Sequence, residues 1–220
     1  MPQSLQTTLD FLEELRFNNH KTWFDENRKR YEQARSIFEG LIGNIMQHFG
    51  TVEDLGDTTV KECLYRINRD IRFSKDKTPY QIHMAALIAN GGRKSTGRSY
   101  YVHIQPGGSF VAGGIYSPTP EQLQKLRHTI AQNPRRINDV LANKDFVRYF
   151  GKVEGEKLKT APKGYASDHP AIELLKHKQF LASHPVTDAQ VLSDGLVAYI
   201  VDACRALKPF VAYIDDALQS

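Results

Sequence analysis

Apolar residues recur at every third or fourth position near the start of the chain and at every second position in its middle. Leu9, Leu12 and Leu15 share one face of a first helix, with Thr7 or Thr8 placed to cap it. Asn18-Asn19 interrupts that pattern and opens a second, longer helix. In it Trp23, Asn27, Tyr31, Ala34, Phe38, Leu41 and Ile45 form a core-facing stripe. Asn27 is the polar member of the stripe, so if buried it needs hydrogen-bond partners.

From residue 61 the period is two. Cys63, Tyr65 and Ile67 alternate with Glu62, Leu64 and Arg66, which predicts a strand. Residues 82–89 predict a second strand. Tyr100, Val102 and Ile104 mark a third, and Pro106-Gly107-Gly108 turns the chain into a fourth over 109–116. Short links between these neighbours suit an antiparallel meander better than helical crossovers.

Helical signals then return. Thr119 with Gln122 is a capping box with Pro120 at the first helical position, and Asn133-Pro134 and Asn143 give further starts. Residues 151–168 are irregular, and Asp168-His169-Pro170 is expected to cap a short helix through Leu175. Residues 179–184 predict a fifth strand. Thr187 with Gln190 should open a helix whose Leu192, Leu196, Ile200, Ala203 and Leu207 keep one face, until Pro209 ends or kinks it. The order predicts one α+β domain over residues 1–220, an antiparallel meander of about five strands packed by N-terminal and C-terminal helices.

Composition narrows the class. With 40% hydrophobic and 25% charged residues in 220, the chain has enough apolar surface for a core without metal or disulfide staples. The apolar run at residues 84–89 is far below the ~20 residues of a membrane helix, so no membrane partner is expected. The first ten residues show neither a basic stretch nor an apolar one of the kind a secretory leader needs. Cys63 and Cys204 sit among apolar neighbours and are expected to be buried and reduced. These features fit a cytoplasmic protein.

Charge is segregated. Residues 61–98 hold nine basic and three acidic residues, an excess of six against +4 for the whole chain. Arg66, Arg69 and Arg72 recur at every third residue, followed by Lys75 and Lys77, with Ser74, Thr78 and Tyr80 offering hydroxyls. Guanidinium forks match phosphate and carboxylate oxygens in pairs, and lysine adds a point charge. The candidate binding set for a small anion is therefore Arg66, Arg69, Arg72, Lys75, Lys77, Tyr80 and His83. The competing expectation is a solvated loop in which Asp70 and Asp76 neutralise an arginine and a lysine.

The run RDIRFSKDKTPY, with Trp23-Phe24, Asn27 and Tyr31 upstream, resembles the conserved-protein family known as domain of unknown function 2461. So do Pro106-Gly107-Gly108-Ser109, Gly113-Gly114, Lys157-Leu158-Lys159, Pro162-Lys163-Gly164-Tyr165, Asp168-His169-Pro170 and Leu174-Leu175-Lys176. The resemblance covers about residues 9–210. It implies an α+β domain of soluble bacterial or fungal proteins, with no established reaction and no catalytic residue to carry over. Gln81 stands where the family pattern has a lysine, so it is left out of the basic set.

Other motifs explain less. Residues 92–99 come within one residue of a phosphate-binding loop, but a strand pattern follows where that loop requires a helix. His83 and His103 lie in successive predicted strands and meet on one face if the register allows, without a carboxylate to complete a metal site. His83, close to the basic loop, is a candidate proton donor to a bound anion. No nucleophile elbow or zinc-ligand spacing appears, and whether the chain is an enzyme, and with what cofactor, stays open. Two other function classes stand beside the anion pocket. One is a nucleic-acid-binding surface using Tyr100, Tyr101 and His103 beside Arg93, Lys94 and Arg98. The other is an interaction module without chemistry.

Overall fold

Ser4, not a threonine, starts the first helix, α1 (Leu5–Phe17), by accepting the Gln6 amide. Thr8 is buried one turn later, and its hydroxyl donates to the Ala34 carbonyl at 3.1 Å. The computed structural model describes residues 4–219, so residues 1–3, part of the stretch read for a leader, lie outside it.

The predicted long second helix is two helices, α2 (Lys21–Glu26) and α3 (Arg28–Phe49), joined at Asn27. The physical reason is the asparagine itself. Its amide donates to the Trp23 carbonyl at 3.0 Å and its Oδ1 accepts from Arg30 at 3.0 Å, so its polar groups are satisfied at a break instead of inside a helix. His20 caps α2 by accepting the Trp23 amide. The stripe expected on α3 is real: Ala34, Phe38, Leu41 and Ile45 are buried, and α3 packs against α1.

The fold is α+β, with one open antiparallel sheet in the order β1 (Met84–Ile88), β2 (Tyr100–Ile104), β3 (Ser109–Ile115), β4 (Phe180–Val186). Four strands form where about five were expected. The missing one is the first, at 63–67. Cys63 closes a short helix, α4 (Val60–Cys63), under a Thr59–Glu62 capping box. Beyond it the chain meets the 79–86 segment only at isolated antiparallel bridges, Leu64 to Ala86 and Asn68 to Tyr80.

Between β3 and β4 run α5 (Pro120–Gln132), α6 (Pro134–Leu141), α7 (Lys144–Tyr149) and α8 (Ile172–Leu175), the first three capped by Thr119, Asn133 and Asn143 as expected. Asp168 does not cap α8. That helix begins after Ala171, whose amide is taken by His169 Nδ1 at 3.1 Å. The Thr187–Gln190 box opens only a four-residue helix, α9 (Asp188–Val191), before α10 (Leu196–Gln219), which continues through Pro209. No helix among the described residues is long and apolar enough to cross a membrane.

Contacts gather the chain into two compact units. The first takes the chain up to residue 95 with 101–111 and 185–202, and its core includes Phe11, Leu12, Leu15, Ile42, Ile45, Ile88 and Ile104. The second takes 96–100, 112–184 and the chain from 203, with Tyr100, Phe146, Phe180 and Phe210 fully buried. Cys63 and Cys204 are both free and buried.

Candidate functional site

The seven residues of the predicted anion set do not converge. Arg69, only 21% exposed, donates to the Asp76 carboxylate at 2.5 Å and to the Thr78 carbonyl at 3.2 Å. The Thr78 amide and the Arg69 guanidinium, in that order of effect, hold the Asp76 carboxyl down to about 2. Arg72 folds back on Asp70 with two hydrogen bonds of 2.9 and 2.6 Å. Lys77 donates to the Ile71 carbonyl, and Lys75 stays exposed. Tyr80 is in the core: its ring stacks on Phe24 with centroids 3.9 Å apart, and Asn19 holds both its amide and its carbonyl. Two of the loop's five cations are thus neutralised locally, because Asp70 and Asp76 stand close enough in sequence to reach the arginines.

Arg66 and His83 are the two that line one recess, and backbone counting explains where. Leu64 to Asn68 is four steps of chain, while Ala86 back to Tyr80 is six, yet the ends of both stretches are paired. The Tyr65 amide still reaches the Ala85 carbonyl and the Gln81 amide the Ile67 carbonyl. Two surplus residues must therefore bulge out between those bonds, opposite Arg66, which parts the two segments. A recess of about 330 Å³ lies there, lined by Arg66, Asn68, Gln81 and His83. Tyr31 and Arg35 of α3, with Tyr65 and Tyr101, add the remaining polar lining, and Asp70 contributes one carboxylate.

Charge in the recess is unevenly settled. Arg35 is held by Glu39 at 2.8 Å and by the Tyr31 hydroxyl at 3.3 Å. Arg66 makes no hydrogen bond or ion pair with any described residue. Its field helps hold the Asp70 carboxyl below the usual range, after the larger effect of the Arg72 hydrogen bonds. Arg66 is the loop arginine left without a carboxylate hydrogen-bonded to it.

One wall continues into a row of rings. His83 lies 4.1 Å from His103, which stacks on Phe110 at 4.5 Å, while Tyr101 meets Tyr65 edge-on at 6.0 Å. His103 Nε2 faces Gln105 Oε1 at 3.1 Å and Nδ1 faces the Tyr101 hydroxyl at 3.3 Å. If the amide oxygen accepts, Nε2 carries the proton and Nδ1 accepts from the phenol. Burial first, then the neighbouring His103, lowers His83 to about 4; burial also lowers His103 and pushes Tyr101 up to about 12. Near neutral pH the row is therefore uncharged, and His83 presents a neutral imidazole to the recess.

Sequence reasoning missed Tyr31, Arg35, Asn68 and Tyr65 as lining residues. Tyr31 was counted as core, and Arg35 carries no local signal because α3 delivers it from far along the chain. Tyr100 faces the other side of β2 and is fully buried, so it cannot stack on a base. Arg98 lies near Asp215 at 3.4 Å and Asp216 at 3.7 Å. Residues Gly92–Lys94 form a short 3-10 turn, without the helix a phosphate-binding loop needs. Among the described residues no three His, Cys, Asp or Glu side chains are grouped to hold a metal ion.

A family model described as Conserved hypothetical protein (DUF2461) matches residues 7–213. No curated protein and no solved structure matches the chain.

Proposed function

Since the chain belongs to the conserved hypothetical protein family DUF2461, a name that assigns no reaction, we propose from the recess that it binds a small anionic ligand. The ligand carries a phosphate or carboxylate group. Its charge is taken by Arg66, with Asn68 and Gln81 amides and the hydroxyls of Tyr31 and Tyr65 completing the hydrogen bonds. His83 orients the ligand as a neutral imidazole. A volume of about 330 Å³ sits at the small end of ligand pockets, the size of a phosphorylated metabolite or mononucleotide.

One observation carries this reading: Arg66 lines the recess without a partner, whereas Arg69 and Arg72 are neutralised inside their own loop. Calorimetric titration with a panel of phosphorylated metabolites tests it. Saturable 1:1 binding that weakens about tenfold or more in Arg66→Ala, the loss of a charge-assisted fork, is the expected result. No binding by any member, or equal affinity in Arg66→Ala, would overturn it.

A second reading, single-stranded nucleic acid, is favoured by the row of Tyr65, Tyr101, His103 and Phe110, with Arg93 lying 5.8 Å over the Tyr65 ring. It predicts affinity falling with salt, with a log–log slope of about −0.7 per phosphate neutralised, which a one-phosphate ligand cannot reproduce beyond a single unit.

A further inference from the structure

The second unit contains a recess of its own, about 450 Å³, lined by residues of α5 and of the turn at 162–165. Gln124, Arg127 and His128 stand three and four residues apart on α5, so they share one helix face. Across from them lie Lys163, Gly164 and Tyr165, part of a Pro-Lys-Gly-Tyr motif that the first recess does not use. The Tyr165 amide donates to the Pro162 carbonyl at 3.2 Å, and Gly164 supplies the positive φ of +91° that closes this turn.

Arg127 is fixed but not neutralised. Its Nε donates to the Leu175 carbonyl at 2.8 Å and its Nη2 to the His177 carbonyl at 3.0 Å. Two of the five guanidinium protons are so engaged, which orients the plane and leaves three donors. Carbonyl dipoles do not cancel a full charge. Neither Arg127 nor Lys163 forms an ion pair with a described residue, and no carboxylate lines the recess. Burial disfavours the charged form of Arg127, consistent with a cation lacking its counter-charge.

This combination is what an anion site looks like before its anion arrives: a pre-oriented fork, a mobile point charge, neutral donors and no competing acid. We propose that the recess between α5 and the 162–165 turn binds the phosphoryl group of a small molecule. Arg127 and Lys163 carry the charge, and Gln124 and Tyr165 are the neutral hydrogen-bonding groups. The proposal does not depend on the first recess.

The test uses the full chain carrying Arg66→Ala, which silences the first recess, titrated with inorganic pyrophosphate at low ionic strength. The expected result is saturable 1:1 binding that weakens about tenfold when Lys163→Glu is added. Lys163 makes none of the hydrogen bonds that tie Arg127 to the chain, so this variant keeps its fold, which a circular dichroism melt verifies. Arg127→Lys, which retains the charge and loses the fork, should weaken binding less than Lys163→Glu. Absence of pyrophosphate binding in the Arg66→Ala chain, or affinity unchanged by Lys163→Glu, would refute the second site while leaving the first untouched.

Discussion

His83 and His103 hold their imidazole rings 4.1 Å apart, so a proton added to either meets both a poorly solvated site and its neighbour's charge. Both values lie below the ordinary histidine value in the folded chain, His83 at about 4. Between that value and about 6.5 the unfolded chain binds more protons than the folded one, so stability rises with pH across this window. The contribution is complete above about pH 6.5 and is lost as pH falls toward 4.

Urea titrations at pH 7, 6, 5 and 4.5 should therefore show falling stability, with a shallower fall in His83→Gln. His177, lowered to about 4 chiefly by burial, keeps its own share of the slope in both proteins. Identical slopes would clear the His83–His103 pair of the effect.

Tyr80 is a packing residue. Tyr80→Ala removes the ring stacked on Phe24 and should cost about 3–5 kcal/mol in denaturant unfolding. Tyr80→Phe keeps the stack and should change stability by less than about 1 kcal/mol and anion affinity by less than about twofold. A large loss of affinity in Tyr80→Phe would move the hydroxyl back into the binding set.

Among the described residues Asp70 is the one carboxylate lining the first recess, and it repels what Arg66 attracts. Asp70→Asn should strengthen anion binding about threefold, a surface-charge effect that shrinks with added salt. Weaker binding in this variant would mean that Asp70 positions the ligand or Arg66 in a way the ion-pair geometry does not reveal.

Gly114 sits at φ +116°, and a Cβ there would lie 2.1 Å from the Phe180 carbonyl oxygen. No side chain can yield, because the obstacle is backbone of the neighbouring strand. Gly114→Ala should cost about 4 kcal/mol or more or prevent soluble expression. An alanine variant within about 1 kcal/mol of the parent in thermal unfolding would show that β3 and β4 do not approach so closely.

Elements with strong local grammar were legible in the chain. The Thr119, Asn133, Asn143 and Thr187 caps, the buried stripe of α3 and the 105–108 turn each follow from side chains acting within a few residues. Alternation at 63–67 was misleading: Leu64 is buried and Tyr65 exposed, and strand assignment needs a continuous partner, whereas the bridged residues lie 12 and 22 positions away. The same limit applied to the site. Arg66, Arg69 and Arg72 look alike in sequence, and only the folded loop decides that Asp76 takes one, Asp70 another and neither takes Arg66. Arg35 and Tyr31 were beyond reach for a different reason: α3 brings them in by tertiary packing alone.

The unequal spans that meet at Leu64–Ala86 and Asn68–Tyr80 make the first recess a property of chain length before it is a property of side chains. Excising Ile82 and His83 would let the two segments zip, and because an even number is removed, inward and outward positions beyond the cut would keep their sides. A shortened chain of that kind would retain its sheet and lose its vacancy, separating the architecture of this protein from its capacity to hold anything.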